Sequence, residues 1–237
     1  MVAPRGRFAG VIFDIDGVVL DTPHEAAWRA ALNGLAEPER FSAALYRDAV
    51  AGRTRLDGAK AALEALGVPA AASLAPAYAR RKQAILEELL LSRPVRAFPD
   101  ALGLIAHLAR AGVPMAAASA SRNASRLLAA VTLAGAPLRG YFAADLCGYE
   151  VRHGKPDPEL FLAAAEALGA DPGLCLVVED APNGVLAAKR AGCAALGVAR
   201  HGERLPLSRA GADLVVTTLD ALDRSSLARS RLRLAKP

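Results

Sequence analysis

The chain has 237 residues, 53% of them hydrophobic, and carries 29 basic against 24 acidic side chains for a net charge of +5. That length suits one large domain or a core with an insert, and that apolar content excludes disorder for most of it. Five of the basic residues (Arg224, Arg229, Arg231, Arg233 and Lys236) fall in the last stretch, so the body holds 24 of each sign and lacks the charge excess of a nucleic-acid binder.

In chain order, residues 8–13 read as a buried strand that ends in Asp14-Ile-Asp16-Gly17. Residues two apart in an extended chain point to one face, so both carboxylates arrive at the same spot. Two anions that close require a proton or a cation between them. The pair therefore marks a metal and acid/base site in preference to an ordinary Asp-Gly turn. From Thr22-Pro23 to about Arg93, apolar residues recur at helical spacing, notably in 25–32, 59–66 and 78–91. Pro69, Pro76 and Pro94 are expected to mark helix boundaries there.

From Pro99 the pattern alternates. Helices are predicted at 100–111 (stopped by Gly112), 121–133, 158–168 (closed by Gly169) and 182–191, and strands at 113–118, 141–146, 174–178, 194–198 and 213–216. This predicts an α/β fold with a doubly wound parallel sheet, a Rossmann-like core with an inserted all-helical subdomain. The expected division is a core of residues 1–21 and 95–222, a helical cap of residues 22–94, and a basic tail of residues 223–237 that reads as solvated and mobile. Cys147, Cys175 and Cys193 are odd in number and show no CxxC spacing, which fits a reducing, cytoplasmic setting. Neither a secretory h-region nor a run of the roughly 20 apolar residues needed to span a bilayer is present, so no membrane role is expected.

In such a sheet, ligands bind beyond the carboxyl ends of the strands. Unusual polar residues collect at those ends. Asp14 and Asp16 follow the first strand, Ser119 to Asn123 follow the second, and Glu179-Asp180 follow the run 174–178; between them lies His153-Gly-Lys-Pro-Asp-Pro158, a rigid turn presenting Lys155. Each has an ordinary reading: helix caps, a solvated lysine, acids at a helix start. Their conjunction at the strand ends does not. Four carboxylates with a lysine and an anion cradle suit Mg²⁺ and phosphoryl transfer through an aspartyl-phosphate.

Phe13-Asp-Ile-Asp-Gly-Val18, Ala118-Ser119, Gly154-Lys-Pro-Asp157 and Val178-Glu-Asp180 resemble, in order and spacing, the four motifs of the haloacid dehalogenase superfamily of phosphotransferases. The helical insert resembles the cap of its β-phosphoglucomutase-like branch. The resemblance implies Asp14 as nucleophile and Asp16 as general acid/base with its backbone carbonyl on Mg²⁺. It implies Ser119 and Lys155 as holders of the transferring phosphate, and Glu179 and Asp180 as metal ligands beside Asp14. For the substrate it implies Ser121, Arg122 and Asn123 around a second phosphate and Arg55 on the same group, with Arg53 as the fallback. Lys82 would reach the sugar, and Thr22 and His24 would act where the cap begins. The segment between Thr22 and Trp28 is about two residues shorter than in the mutases, so His24 would act from a shifted position.

The function this implies is Mg²⁺-dependent conversion of β-glucose 1-phosphate to glucose 6-phosphate through the bisphosphate. The alternative is a phosphatase of the same fold, acting on a small phosphate monoester. Either would be a monomer working on a small phosphorylated molecule, with no nucleic-acid partner, because carboxylates at the strand ends repel polyanions.

Overall fold

The computed structural model describes residues 8–227 and 232–235. Gly10–Phe13 forms β1, buried on both faces as the centre of a parallel sheet requires. Val11 and Phe13 pack into one apolar cluster with Leu104 and Leu108, whereas Ile12 faces the opposite way into a second with Phe161 and Val177. That alternation is the two-residue period of a strand covered by helices on both sides.

After β1 the chain passes through β2 (Leu20–Asp21), α1 (His24–Ala31), α2 (Ala43–Leu45), α3 (Arg55–Ala65), α4 (Ala71–Ser92) and β3 (Arg96–Ala97). It continues with α5 (Pro99–Arg110), β4 (Met115–Ala117), α6 (Ala124–Ala130), β5 (Thr132–Leu133), β6 (Ala136–Pro137), β7 (Ala144–Asp145) and α7 (Glu159–Ala167). The last elements are β8 (Cys175–Glu179), α8 (Pro182–Arg190), β9 (Ala194–Val198), α9 (Leu205–Arg209), β10 (Leu214–Val216) and α10 (Arg224–Leu227). Six strands make the main sheet in the order β10-β9-β8-β1-β4-β7, and every pairing is parallel. The doubly wound α/β core expected from the sequence is therefore present. The strand order reverses beside β1, and the crevice at that reversal is where such sheets bind ligands.

The helices inserted after β2 have their own apolar cluster, built on Trp28, Phe41, Leu63 and Tyr78. The Trp28 and Tyr78 rings lie 5.1 Å apart, and the Tyr78 hydroxyl donates to the Trp28 carbonyl at 2.8 Å. The chain leaves and returns through β2 and β3, which pair antiparallel as a two-stranded hinge. Among the described residues, no helix is long and apolar enough to cross a membrane.

Three local expectations fail. Pro76 lies inside α4 instead of at its boundary, because Ala75, Tyr78 and Ala79 on either side of it are buried in the cap cluster, and packing outweighs one lost backbone hydrogen bond. The helix predicted over 121–133 spans only Ala124–Ala130; Thr132–Leu133 instead pairs with Ala136–Pro137 around Ala134 and Gly135, both at positive φ. The basic end is not wholly solvated. Leu227 joins the core, Arg224 donates to Asp220 at 2.7 Å, and the Ala235 amide donates to the Ala221 carbonyl at 2.8 Å. Arg229, Arg231 and Lys236 lie outside the described residues.

Candidate active site

The backbone ladder brings the motif residues together. The Asp14 amide donates to the Val178 carbonyl at 3.0 Å and the Ala118 amide to the Phe13 carbonyl at 2.8 Å, so the ends of β1, β4 and β8 lie side by side. Lys155 Nζ, from the turn before α7, donates to Asp14 Oδ1 and to Glu179 Oε1, each at 2.5 Å. Lys155 and Glu179 are buried, and the lysine also lies over the Phe161 ring. Glu179 Oε2 accepts from the Ala181 amide at 2.9 Å. Two glycines make room: a Cβ on Gly184 would lie 1.8 Å from Glu179 Oε1, and one on Gly17 (φ +87°) would lie 2.0 Å from Asp180 Oδ2.

Asp14, Glu179 and Asp180 offer oxygens that lie within 4.8 Å of one another. Burial pushes the Asp14 carboxyl up to about 8, opposed by Lys155 and reinforced by Glu179 and Asp16. Burial, then Glu179 and Asp14, hold Asp180 well above the usual carboxylate range. Burial disfavours the Lys155 ammonium, but Asp14 and Glu179 more than reverse this and raise it. One ammonium does not offset the charges that these crowded, buried carboxyl groups would carry when ionised. A divalent cation on hard oxygen ligands balances them, so the donor set fits Mg²⁺. Asp180 accepts no side-chain hydrogen bond from a described residue and so keeps both oxygens for such an ion, whereas both Glu179 oxygens already have donors.

Asp16 faces the other way. Its Oδ2 accepts from Ser119 Oγ at 2.7 Å, and its Oδ1 from Thr22 Oγ1 at 2.9 Å and from His24 Nε2 at 3.2 Å. Lys82 Nζ, from α4, lies 2.8 Å from His24 Nδ1. With an ammonium or amine donor on one side and a carboxylate on the other, His24 is assigned as the neutral tautomer that accepts at Nδ1 and donates from Nε2. Burial, then Lys82, lower the imidazole and support that neutral form against the pull of Asp16. Burial alone would raise Asp16, but His24, then the hydrogen bonds from Ser119 and Thr22, hold it below the ordinary carboxylate range. Burial lowers Lys82 to about 7, which Asp16 opposes and Arg55 reinforces.

A cavity of about 70 Å³ remains between the cap and this cluster. Asp14, Asp16, His24, Arg55, Lys82, Ser119, Ser121, Glu179 and Asp180 line it, as does Arg53. Thr22 and Lys155 reach it through their partners. Asn123 is not among the lining residues; its Nδ2 is buried with no partner among the described residues, and its backbone amide donates to Ser121 Oγ at 3.3 Å. Arg122 does not join them: its exposed guanidinium is paired with Glu150 at 2.6 Å. Its place on the turn before α6 turns it outward, with its own Cα packed against Gly148.

The sequence reading missed Trp28, Tyr46 and Gln83, which also line the cavity. Tyr46 begins a π-helical turn, Tyr46–Val50, closed by the Ala51 amide on the Tyr46 carbonyl, and no residue pattern announces it. That turn delivers Ala51 and Gly52 to the core, where Asn183 Nδ2 donates to the Ala51 carbonyl at 3.2 Å and Gly52 meets the Lys155 stem. Glycine inside the predicted helix 182–191 was the one readable hint of close packing against Glu179. Gly17→Ala is expected to lower stability by more than about 1 kcal/mol, since the left-handed backbone alone is strained for alanine. It should also blunt any Mg²⁺-induced rise in Tm by displacing Asp180; a thermal-unfolding series with and without Mg²⁺ checks both effects.

Residues 8–192 match the profile of the haloacid dehalogenase-like hydrolases. The chain is 31% identical to hexitol phosphatase A of Escherichia coli over 91% of its length and 94% of that protein's. It is 34% identical to the β-phosphoglucomutase of Mycobacterium tuberculosis, over 89% of this chain and 90% of that one. The crystal structure of an archaeal β-phosphoglucomutase from Pyrococcus superposes with a TM-score of 0.70 at 28% identity, covering 92% of this chain and 97% of the other. The six-stranded core, its acid-and-lysine site and these similarities together make this chain an enzyme of the haloacid dehalogenase-like family, on the branch of its phosphatases and phosphomutases.

Proposed function

We propose that the protein is a β-phosphoglucomutase, moving a phosphoryl group between positions 1 and 6 of glucose through an aspartyl-phosphate on Asp14. The observation that carries this reading is the chain Lys82–His24–Asp16, which runs from the cap to the acid/base residue. A cap that touches the proton carrier ties chemistry to closure, and a closed cap keeps water from the phosphoenzyme. In this reading His24, the first residue of α1, takes the hinge role.

In the forward step Asp14 attacks the phosphorus of the bound bisphosphate, the P–O bond to the sugar breaks, and Asp16 gives the departing sugar oxygen the proton it took from a hydroxyl in the preceding return step. In the return step Asp16 takes the proton of the other hydroxyl, whose oxygen attacks the phosphorus on Asp14 and frees its carboxylate. Lys155 offsets charge on Asp14 and the phosphate, and Ser119 holds a phosphate oxygen once Asp16 turns toward the sugar. Mg²⁺, held by Asp14, Asp180, the Asp16 carbonyl and Glu179, would neutralise the oxyanions of the transferring group. Arg55, Ser121 and the unpartnered Asn123 amide would receive the second phosphate. In this reading the protein is a cytoplasmic monomer acting on free sugar phosphates.

One observation favours a phosphatase instead: with Arg122 paired to Glu150, the second-phosphate site has one cation fewer than expected. Supplying β-glucose 1-phosphate, Mg²⁺ and a trace of glucose 1,6-bisphosphate, and following glucose 6-phosphate and free phosphate in parallel, separates the two. Isomerised sugar without phosphate release supports the mutase; phosphate release without isomerised sugar rejects it.

Lys82 provides a pH test. Its value of about 7 leaves it mostly neutral at pH 8 in the free protein, whereas an anionic substrate beside it favours the ammonium. Substrate binding at pH 8 is therefore expected to take up nearly one proton. Calorimetry in buffers of different ionisation heat measures this, and Lys82→Met should remove the uptake.

A further inference from the structure

Two side chains that line the cavity each carry a buried polar atom with no partner among the described residues: Arg53 Nε, a donor, and Gln83 Oε1, an acceptor. The orientation of the Gln83 amide is fixed from outside, because its Nε2 donates to Glu87 Oε1 at 2.6 Å. Turning it over would set its carbonyl oxygen against the Glu87 carboxylate. Arg53 follows the π-helical turn, its amide donating to the Val50 carbonyl at 3.2 Å. An unmet donor and an unmet acceptor on two side chains of one small cavity each carry the desolvation penalty of an orphaned group. A ligand relieves both only if it can accept from one and donate to the other.

We infer that Arg53 and Gln83 form a hydroxyl-reading subsite that selects polyhydroxylated phosphate esters. A hydroxyl is donor and acceptor at once, so one sugar hydroxyl, or two neighbouring ones, satisfies both atoms. A phosphate or carboxylate would suit Arg53 but set an oxyanion against Gln83 Oε1. An ammonium would suit Gln83 but be repelled by Arg53. The subsite thus assigns Arg53 to the sugar ring and leaves the second phosphate to Arg55. The inference rests on the phosphoryl-transfer reading only for which end of the ligand faces Asp14.

Binding tests it without relying on turnover, so a failure of the proposed reaction leaves the test intact. Dissociation constants in Mg²⁺ would be measured by calorimetry for glucose 6-phosphate, sorbitol 6-phosphate, the single-deoxy analogues of glucose 6-phosphate and phenyl phosphate. In the unaltered protein one deoxy analogue is expected to bind about tenfold more weakly than its parent, the worth of a buried hydrogen bond with its orphaned partner. Gln83→Leu should weaken the parent by about the same factor and show no further loss with that analogue, as a shared interaction requires. Arg53→Met supplies the same comparison from the donor side should Gln83→Leu not fold. All deoxy analogues binding within about twofold of the parent would overturn the inference. So would unchanged discrimination in the folded variant, or phenyl phosphate binding as tightly as every hydroxylated ligand.

Discussion

Asp14→Asn is expected to lower phosphoryl transfer at least about 10⁴-fold, since an amide cannot attack phosphorus and removal of a covalent nucleophile costs factors of that order or more. The variant should nevertheless fold at least as well as the parent. Burial pushes the Asp14 carboxyl up to about 8, so at neutral pH and without metal the fold must hold a proton there that the unfolded chain releases, which costs stability. The amide removes that cost and leaves Lys155 paired with Glu179 at 2.5 Å. Activity and stability should thus move in opposite directions. Steady-state rates beside urea unfolding of the metal-free proteins would show it, and near-normal turnover would undo the whole site assignment.

Lys155→Met is expected to damage both. The lysine is the shared cation of two buried carboxylates, and removing one partner of a buried pair costs about 3–5 kcal/mol. For a chain of this size that corresponds to a fall in Tm of roughly 10 °C. The loss should also depend on pH in a definite direction. Without the ammonium, Asp14 loses the cation that opposes its burial, and it is accommodated in the fold by binding a proton that the unfolded chain would not hold near neutrality. The folded state then binds more protons than the unfolded one, so the stability of the variant falls as pH rises. Urea unfolding at pH 5.5 and pH 8 should give a larger deficit at pH 8. An equal deficit at both, or one below about 1 kcal/mol, would mean that Lys155 is not the shared counter-cation.

What could be read from the sequence was set by local physics. The strands β1, β8 and β9 are short apolar runs buried on both faces, Asp14 and Ser119 stand just past the ends of β1 and β4, and Glu179 is the last residue of β8, where a chemical site has no need of apolar character. Those signals need no knowledge of distant contacts. Most of the failures depend on such contacts. Pro76 is carried inside α4 by packing around Tyr78, and Arg122, turned outward, pairs with Glu150, 28 positions away. The short β5–β6 hairpin hides in a Leu-Ala-Gly-Ala stretch that reads as helix. His24 lies between the two cases. A histidine at the start of a helix is visible in the sequence, but its bonds to Asp16 and Lys82 depend on where α4 comes to rest. Gln83 gave no signal, because a polar residue beside a lysine on a long helix ordinarily faces water.

The central claim is that Asp14 itself carries the phosphoryl group. Rapid mixing with glucose 1,6-bisphosphate and Mg²⁺, followed by acid quench and peptide mass spectrometry, tests it most directly. An acyl phosphate that survives acid, is cleaved by hydroxylamine and maps to Asp14 is the expected result. A phosphate that resists hydroxylamine and maps to Ser119, or turnover with no phosphorylated peptide at any quench time, would contradict it.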